Sequence, residues 1–250
     1  MQPDQSRCLV TGGSTGIGAA IVNQLLSEGA AVAVVDLEEP QPEQRSRVTF
    51  VRSDVTDSAA MHHAAQQVAD ELGGAMDVVV ANAGRCQSGR LATDPAERLT
   101  SHLQVNTLGV LNTFSPHVAG MRANGRGALI AISSNCAHTP RMDLGAYCVS
   151  KAATKMLVEC LALELAPDGI RVNAVAPGSC DTELQRQQWA ELGVTADRQI
   201  RGDLDSFRSG IPAGRLAVPT DIARAVSFLA SPAADFIRGA TLVVDGAQSL

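Results

Sequence analysis

The sequence predicts an α/β protein with one doubly wound, seven-stranded parallel sheet and helices on both faces. Two patterns carry this expectation. Short, almost wholly apolar runs recur along the chain, as strands buried on both faces require. Stretches of helical pattern separate them, so consecutive strands are joined by crossovers rather than hairpins. At 250 residues and 45% hydrophobic, the chain can fill one core, and a single domain spanning 1–250 is expected.

The elements follow in order. "CLVTG" (8–12) is the first strand, and a helical pattern runs from about Ile17 to Ser27. "AAVAVVD" (30–36) and "VTFVRSDV" (48–55) are the second and third strands, the latter followed by a polar helix through "DSAAMHHAAQQVADEL". "DVVVANAG" (77–84) is the fourth, and a long helical stretch covers about 95–123. "GALIAISS" (127–134) is the fifth, followed by a helix over 146–166. "IRVNAVAPG" (170–178) is the sixth and "ATLVVDG" (240–246) the seventh. Residues 179–218 are the least regular portion and carry five arginines. They leave the C-terminal end of a strand, where open α/β sheets bind ligands, and are read as a lid.

Composition narrows the function. The net charge is −6 with no basic run, so no footprint for nucleic acid or an anionic membrane surface is expected. No apolar stretch reaches the length of a membrane span, and the N-terminus lacks the pattern of a secretory signal. The six cysteines (8, 86, 136, 148, 160 and 180) are scattered without a CxxC pair. Neither a metal site nor a disulfide framework is expected, and the reading is a cytoplasmic protein with reduced thiols. His62 and His63 read as a solvated helix face, and His138 as structural.

"VTGGSTGIG" (10–18) lies where the first strand turns into a helix. Without side chains at Gly12, Gly16 and Gly18, the backbone can approach a pyrophosphate at the helix N-terminus, where free N–H groups favour anions. Asp36 ends the second strand about twenty residues on, where a carboxylate accepts from ribose hydroxyls and repels a 2′-phosphate. No lysine or arginine adjoins Asp36 in the sequence or sits in the loop. NAD rather than NADP is therefore expected.

"GAYCVSK" (145–151) holds the chain's single tyrosine and one of its two lysines. The spacing of i, i+4 puts Tyr147 and Lys151 on one helix face. A phenol near pKa 10 is a poor base at neutral pH, and a nearby ammonium is expected to lower it.

Together these motifs resemble the short-chain dehydrogenase/reductase family over the whole chain: TGxxxGIG (Thr11 to Gly18), NAG (Asn82-Ala83-Gly84), the Asn106 of "QVNTLG", Ser134, YxxxK and the PG turn at Pro177-Gly178. The resemblance implies a single-domain Rossmann fold and catalysis by Asn106, Ser134, Tyr147 and Lys151. Asn106 would support a water-linked proton path. It implies NAD contacts from Gly12, Ser14, Gly16, Ile17, Gly18, Asp36, Leu37, Asp54, Val55, Asn82, Ala83, Gly84, Tyr147, Lys151, Pro177, Gly178 and Thr182. It further implies a homotetramer built through the long helices near 100–122 and 146–166.

The segments "NCAHTPRMDLGA", "SCDTELQRQQW" and "SGIPAGRLAVP" are similar to those of the subgroup acting on 2,3-dihydro-2,3-dihydroxybenzoate. They imply a small cyclohexadiene carboxylic acid oxidised at its 3-hydroxyl. Arg141 suits the carboxylate, because a guanidinium fork can donate two parallel hydrogen bonds. Gln185 and Arg186 on the lid, with Ser134, Asn135 and Gln87, complete the expected substrate contacts. Asn135 stands where the subgroup would carry aspartate, and "RCQSG" where it would carry a pocket arginine. These departures leave open whether position 2 of the ring bears hydroxyl or amino, as in 2,3-dihydro-3-hydroxyanthranilate. Other chemistries are open too: ketoacyl reduction, sugar alcohol oxidation, or a non-catalytic dinucleotide sensor. The intact Asn106–Ser134–Tyr147–Lys151 set disfavours the sensor, and Asp36 with the acidic balance disfavours the ketoacyl reductase.

Overall fold

The structure is a computed structural model that describes residues 6–250. Its strands are β1 (Arg7–Thr11), β2 (Ala31–Asp36), β3 (Thr49–Arg52), β4 (Val78–Ala81), β5 (Gly127–Ile132) and β6 (Ile170–Pro177). A small antiparallel hairpin of β7 (Gly202–Asp203) and β8 (Arg208–Ser209) stands apart, and β9 (Thr241–Val244) completes the main sheet. The seven-stranded order is β3-β2-β1-β4-β5-β6-β9, with every pairing parallel. The doubly wound sheet is thus as expected, with strand ends shifted by one to three residues.

Alternation along the strands builds two cores. Leu9, Val79, Leu129 and Val172 face Met61, Phe114 and Val158 on one side. Those residues belong to α3 (Ser58–Glu71), α5 (Gly109–Asn124) and α6 (Gly145–Leu165). Val10, Val34, Val80 and Ile130 face the other side, against Ile21, Val22 and Val226, which lie on α1 (Gly16–Ser27) and α9 (Pro219–Ala230). Because successive side chains point to opposite faces, one apolar run serves both cores. A short α2 (Pro42–Arg45) leads into β3.

Two features depart from the sequence reading. The helical stretch expected over 95–123 is α4 (Ala96–Leu103), a π turn at Gln104–Leu108, then α5. The segment 179–218, expected to be a lid, is followed by α9, which the sequence reading left unassigned. Pro219 occupies its first turn, where the missing N–H costs nothing, and Ile222, Val226 and Leu229 form its buried stripe. The lid itself holds α7 (Glu183–Leu192), α8 (Ala196–Arg201) and the β7–β8 hairpin.

Candidate active site

The winding direction reverses between β1 and β4, so a crevice opens at the C-terminal ends of these strands. The motif residues come from strand ends and helix starts around it, and Asn106 from the π turn between α4 and α5. Gly12 and Gly16 have φ of 64° and 54°, the left-handed region open to glycine. A Cβ on Gly18 would lie 1.9 Å from the Gly12 carbonyl oxygen and 2.5 Å from Asn82 Nδ2. Asn82 Nδ2 donates to the carbonyls of Thr11 (3.1 Å) and Gly12 (2.8 Å), tying the end of β4 to the turn. Ala83 lies against the same turn, its Cα 2.8 Å from where a Gly12 Cβ would sit. Thr15 caps α1 without a side-chain hydrogen bond, so the leading N–H groups keep their capacity for an anion. Ile17 packs into the second core behind this turn.

The dinucleotide path continues from there. Asp36 accepts from the main-chain N–H of Ser14 (3.0 Å) and Leu37 (2.7 Å), which holds the carboxylate at the rim of the glycine turn. Leu37 is 55% exposed beside it. Arg52 pairs with Asp36 across β2 and β3, and its guanidinium donates to the Leu37 carbonyl. A cation therefore does stand near Asp36 in space. Asp54 is exposed and accepts from the N–H and hydroxyl of Thr56, both at 2.8 Å. Val55 is buried, its carbonyl accepting from Asn112. On the far side, Gly178 N–H donates to the Val244 carbonyl at 3.0 Å. A Gly178 Cβ would strike Asp245 Cβ at 2.6 Å, which explains glycine after Pro177. Thr182 caps α7 and sits over Gly16, its Cγ2 3.6 Å from where a Gly16 Cβ would be. The start of α7 therefore lies over the glycine turn. These residues fit a dinucleotide: a cradle that side chains would fill, an anion-ready helix end and an acidic partner for a ribose.

The four expected catalytic residues meet at this crevice. Ser134 follows β5 and is 6% exposed, and its Oγ accepts from the Cys136 N–H at 3.1 Å. Lys151 is 4% exposed and donates to the Ile132 carbonyl at 2.8 Å, with Nζ 5.7 Å from the centre of the Tyr147 ring. Burial pulls the Lys151 ammonium down to about 8. Burial also pushes the Tyr147 phenol well above its usual range, and Ser134 opposes this. The expected lowering of the phenol is thus not met. Desolvation of the phenolate dominates.

Asn106 lies in the π turn, as irregular turns at functional positions do. Its Oδ1 accepts from Arg85 N–H (2.8 Å), and its Nδ2 donates to the Arg85 carbonyl (2.9 Å) and Ser150 Oγ (2.9 Å). Its own carbonyl accepts from Thr154 at 2.6 Å. Asn106 therefore clamps the segment after β4 onto α6. A Cβ on Gly84 would lie 3.2 Å from Asn106 Oδ1 and 3.6 Å from Lys151 Nζ, so Gly84 gives these groups room.

The substrate residues divide. Arg141 is 7% exposed, on the loop between Ser134 and Tyr147, and its Nη2 has no hydrogen-bond partner. Asn135 instead turns to the C-terminal segment, donating to Asp245 and to Gln248, each at 3.2 Å. An aspartate there would set a second carboxylate beside Asp245, so the amide suits this contact. Arg186 is exposed and bidentate on Asp181 at 2.7 and 3.0 Å, away from the expected role. Gln87 is exposed, its main-chain N–H donating to His102. Gln185 is half-buried in the first turn of α7. The sequence reading missed Arg208 on β8. It is half-buried, its Nε lacks a partner, and burial with the nearby Arg141 charge lowers its guanidinium. Its signal was faint: one of five lid arginines, just before "SGIPAGRLAVP". Among the described residues no cluster of His, Cys, Asp or Glu is placed to hold a metal ion. None of the described helices is long and apolar enough to cross a membrane.

Comparison with known proteins agrees with this geometry. A family model described as enoyl-(acyl carrier protein) reductase matches residues 12–247. The vibriobactin-specific 2,3-dihydro-2,3-dihydroxybenzoate dehydrogenase of Vibrio cholerae is 39% identical, covering 98% of this chain and 96% of that protein. The 2,3-dihydro-2,3-dihydroxybenzoate dehydrogenase of Escherichia coli is 37% identical, with 96% of each covered. A crystal structure of 3-ketoacyl-(acyl-carrier-protein) reductase from Brucella melitensis, complexed with NADH, superposes with a TM-score of 0.86 at 27% identity, covering 98% of both chains. With its spaced glycines, its Ser–Tyr–Lys set and full-length relatives of this kind, the chain is an oxidoreductase and belongs to the short-chain dehydrogenase/reductase family.

Proposed function

We propose that the protein oxidises the 3-hydroxyl of a cyclohexadiene carboxylic acid, with NAD as hydride acceptor. The substrate is 2,3-dihydro-2,3-dihydroxybenzoate, as for the V. cholerae and E. coli relatives, or its 2-amino counterpart. The observation that carries this reading is Arg141: a buried guanidinium with an unpartnered Nη2, between the catalytic serine and tyrosine. A buried cation of this kind calls for an anionic ligand.

The residues take definite roles. Gly12 to Gly18 and Thr182 would hold the pyrophosphate, and Asp36 the adenosine ribose. Bound nicotinamide supplies the hydride acceptor. Ser134 Oγ holds the substrate oxygen, and Tyr147 removes its proton as general base. Lys151 places positive charge beside the phenol and has donors left for ribose hydroxyls. Asn106 fixes the loop that walls this site. Loss of hydride and proton leaves a ring ketone, which tautomerises to an aromatic phenol and draws the reaction forward. Asp36 favours NAD over NADP.

We also read the chain as a homotetramer through α5 and α6. Val149, Met156 and Leu163 recur every seven residues on α6 and are 42%, 57% and 80% exposed, an apolar stripe that supports such a contact.

The test follows NADH formation from the acid and from its carboxamide, with wild type and Arg141→Ala. The acid should lose heavily in kcat/KM and the amide little. Equal losses would make Arg141 structural and remove the carboxylate from the reading.

A further inference from the structure

Arg141 does not stand alone in the crevice. Arg208 comes from the β7–β8 hairpin and is tied to the catalytic end of the crevice: its Nη2 contacts Ser179 Oγ at 3.4 Å, and the Ser179 N–H shares the Gln248 side-chain oxygen with Asn135, the neighbour of Ser134. Among the described residues neither arginine has a carboxylate within 4.0 Å, although ten other ion pairs form. Asp203, the register partner of Arg208 across the hairpin, is engaged by Arg198 at 2.7 Å and by Ser206 at 2.5 Å. Arg208 makes one side-chain contact, Nη2 to Ser179 Oγ at 3.4 Å, at the long limit for a hydrogen bond. Arg141 Nη2 and Arg208 Nε are both buried without partners.

Two guanidiniums with buried, unpartnered N–H groups at one end of a crevice cost free energy unless an anion joins them. Cys136 sits two residues after Ser134 and is pulled down to about 6, chiefly by the Cys148 hydrogen bond, with Ser134, Arg141 and Arg208 adding. That arrangement places the positive field of both arginines at the catalytic end of the crevice.

We propose that Arg208 is a second specificity-determining residue, forming with Arg141 a two-sided clamp for the substrate carboxylate. Arg141 belongs to the rigid loop after β5 and Arg208 to the lid. An anion bound between them ties the lid to the catalytic face, whereas a neutral ligand leaves the two charges opposed. This rests on the functional reading above for its substrate but not for its test. The clamp recognises a carboxylate on a flat six-membered ring, whatever is oxidised.

The experiment measures binding of benzoate and benzamide to the enzyme–NAD complex by calorimetry. It uses wild type, Arg208→Gln, Arg208→Lys and Arg141→Ala. Neither probe can be turned over, so failure of the redox reading leaves this result standing. Wild type should prefer benzoate. Arg208→Gln, which keeps a donor for Ser179, should weaken benzoate at least tenfold and leave benzamide within twofold. Arg208→Lys should recover part of the loss, because it restores the charge but not the fork. Unchanged benzoate affinity in Arg208→Gln, equal losses for both ligands, or a wild type indifferent to the carboxylate would each overturn the clamp. NAD affinity and melting temperature, measured on every variant, show that the fold is intact.

Discussion

Lys151 is the most quantitative lever in the site. It is 4% exposed, holds one hydrogen bond to Ile132, and has no carboxylate within 4.0 Å among the described residues. Burial lowers its pKa from 10.5 to about 8, equivalent to about 3 kcal/mol at roughly 1.4 kcal/mol for each unit. The unfolded chain keeps this proton up to its ordinary pKa, while the native protein releases it near 8. Between these values the unfolded state binds more protons, so this group makes stability rise with pH. Below pH 8 the penalty for burying the ammonium is fully present. Lys151→Met removes it but leaves the Ile132 carbonyl without its donor, a loss of about 1–3 kcal/mol. The cofactor-free variant at pH 7 should therefore be no less stable than wild type, and up to about 2 kcal/mol more so, while losing turnover. Urea unfolding of both proteins at pH 6.5, 8 and 9.5 checks this. The stability difference should shift toward wild type by about 2 kcal/mol between pH 6.5 and 9.5. A difference flat across that range, or moving toward the variant, would refute the view of Lys151 as a desolvated cation held ready for the cofactor.

Tyr147→Phe should lower kcat by about 10²–10⁴, the usual worth of general base catalysis, with NAD affinity within a few-fold of wild type by fluorescence titration. Near wild-type turnover would show that the base lies elsewhere. Asp36→Ala should weaken NAD and also admit NADP, because Arg52 lies across the strand pair from it. Adding Arg52→Ala should abolish the NADP gain, and kcat/KM with both cofactors measures this. Gly18→Ala places a methyl 1.9 Å from a carbonyl oxygen. It should abolish NAD binding and lower the melting temperature, and a soluble variant that binds NAD normally would contradict the packing described for the turn. Leu163→Glu should reduce the light-scattering mass below that of a tetramer if the α6 stripe is an interface.

Much of this protein could be read from its one-dimensional pattern. Alternating buried strands and helices determined the sheet, because strands covered on both faces need apolar runs and parallel neighbours need crossovers. The glycine turn, Asp36, and the i, i+4 pair of Tyr147 and Lys151 were legible because their geometry is local. What the sequence left undecided depends on groups far apart in the chain. Asn135 meets Asp245 and Gln248, 110 and 113 residues away, so what suits that position is decided by the fold. Arg52 lies next to Asp36 only through strand pairing. The Tyr147 phenol is raised rather than lowered, because burial is a property of the assembled fold and not of residue spacing. Arg208 became distinguishable from the other arginines of 179–218 once the hairpin buried its Nε without a partner and set its Nη2 on Ser179. Charge on a residue is written in the sequence, but whether that charge faces water, a partner or another buried cation is decided only when the chain closes around it.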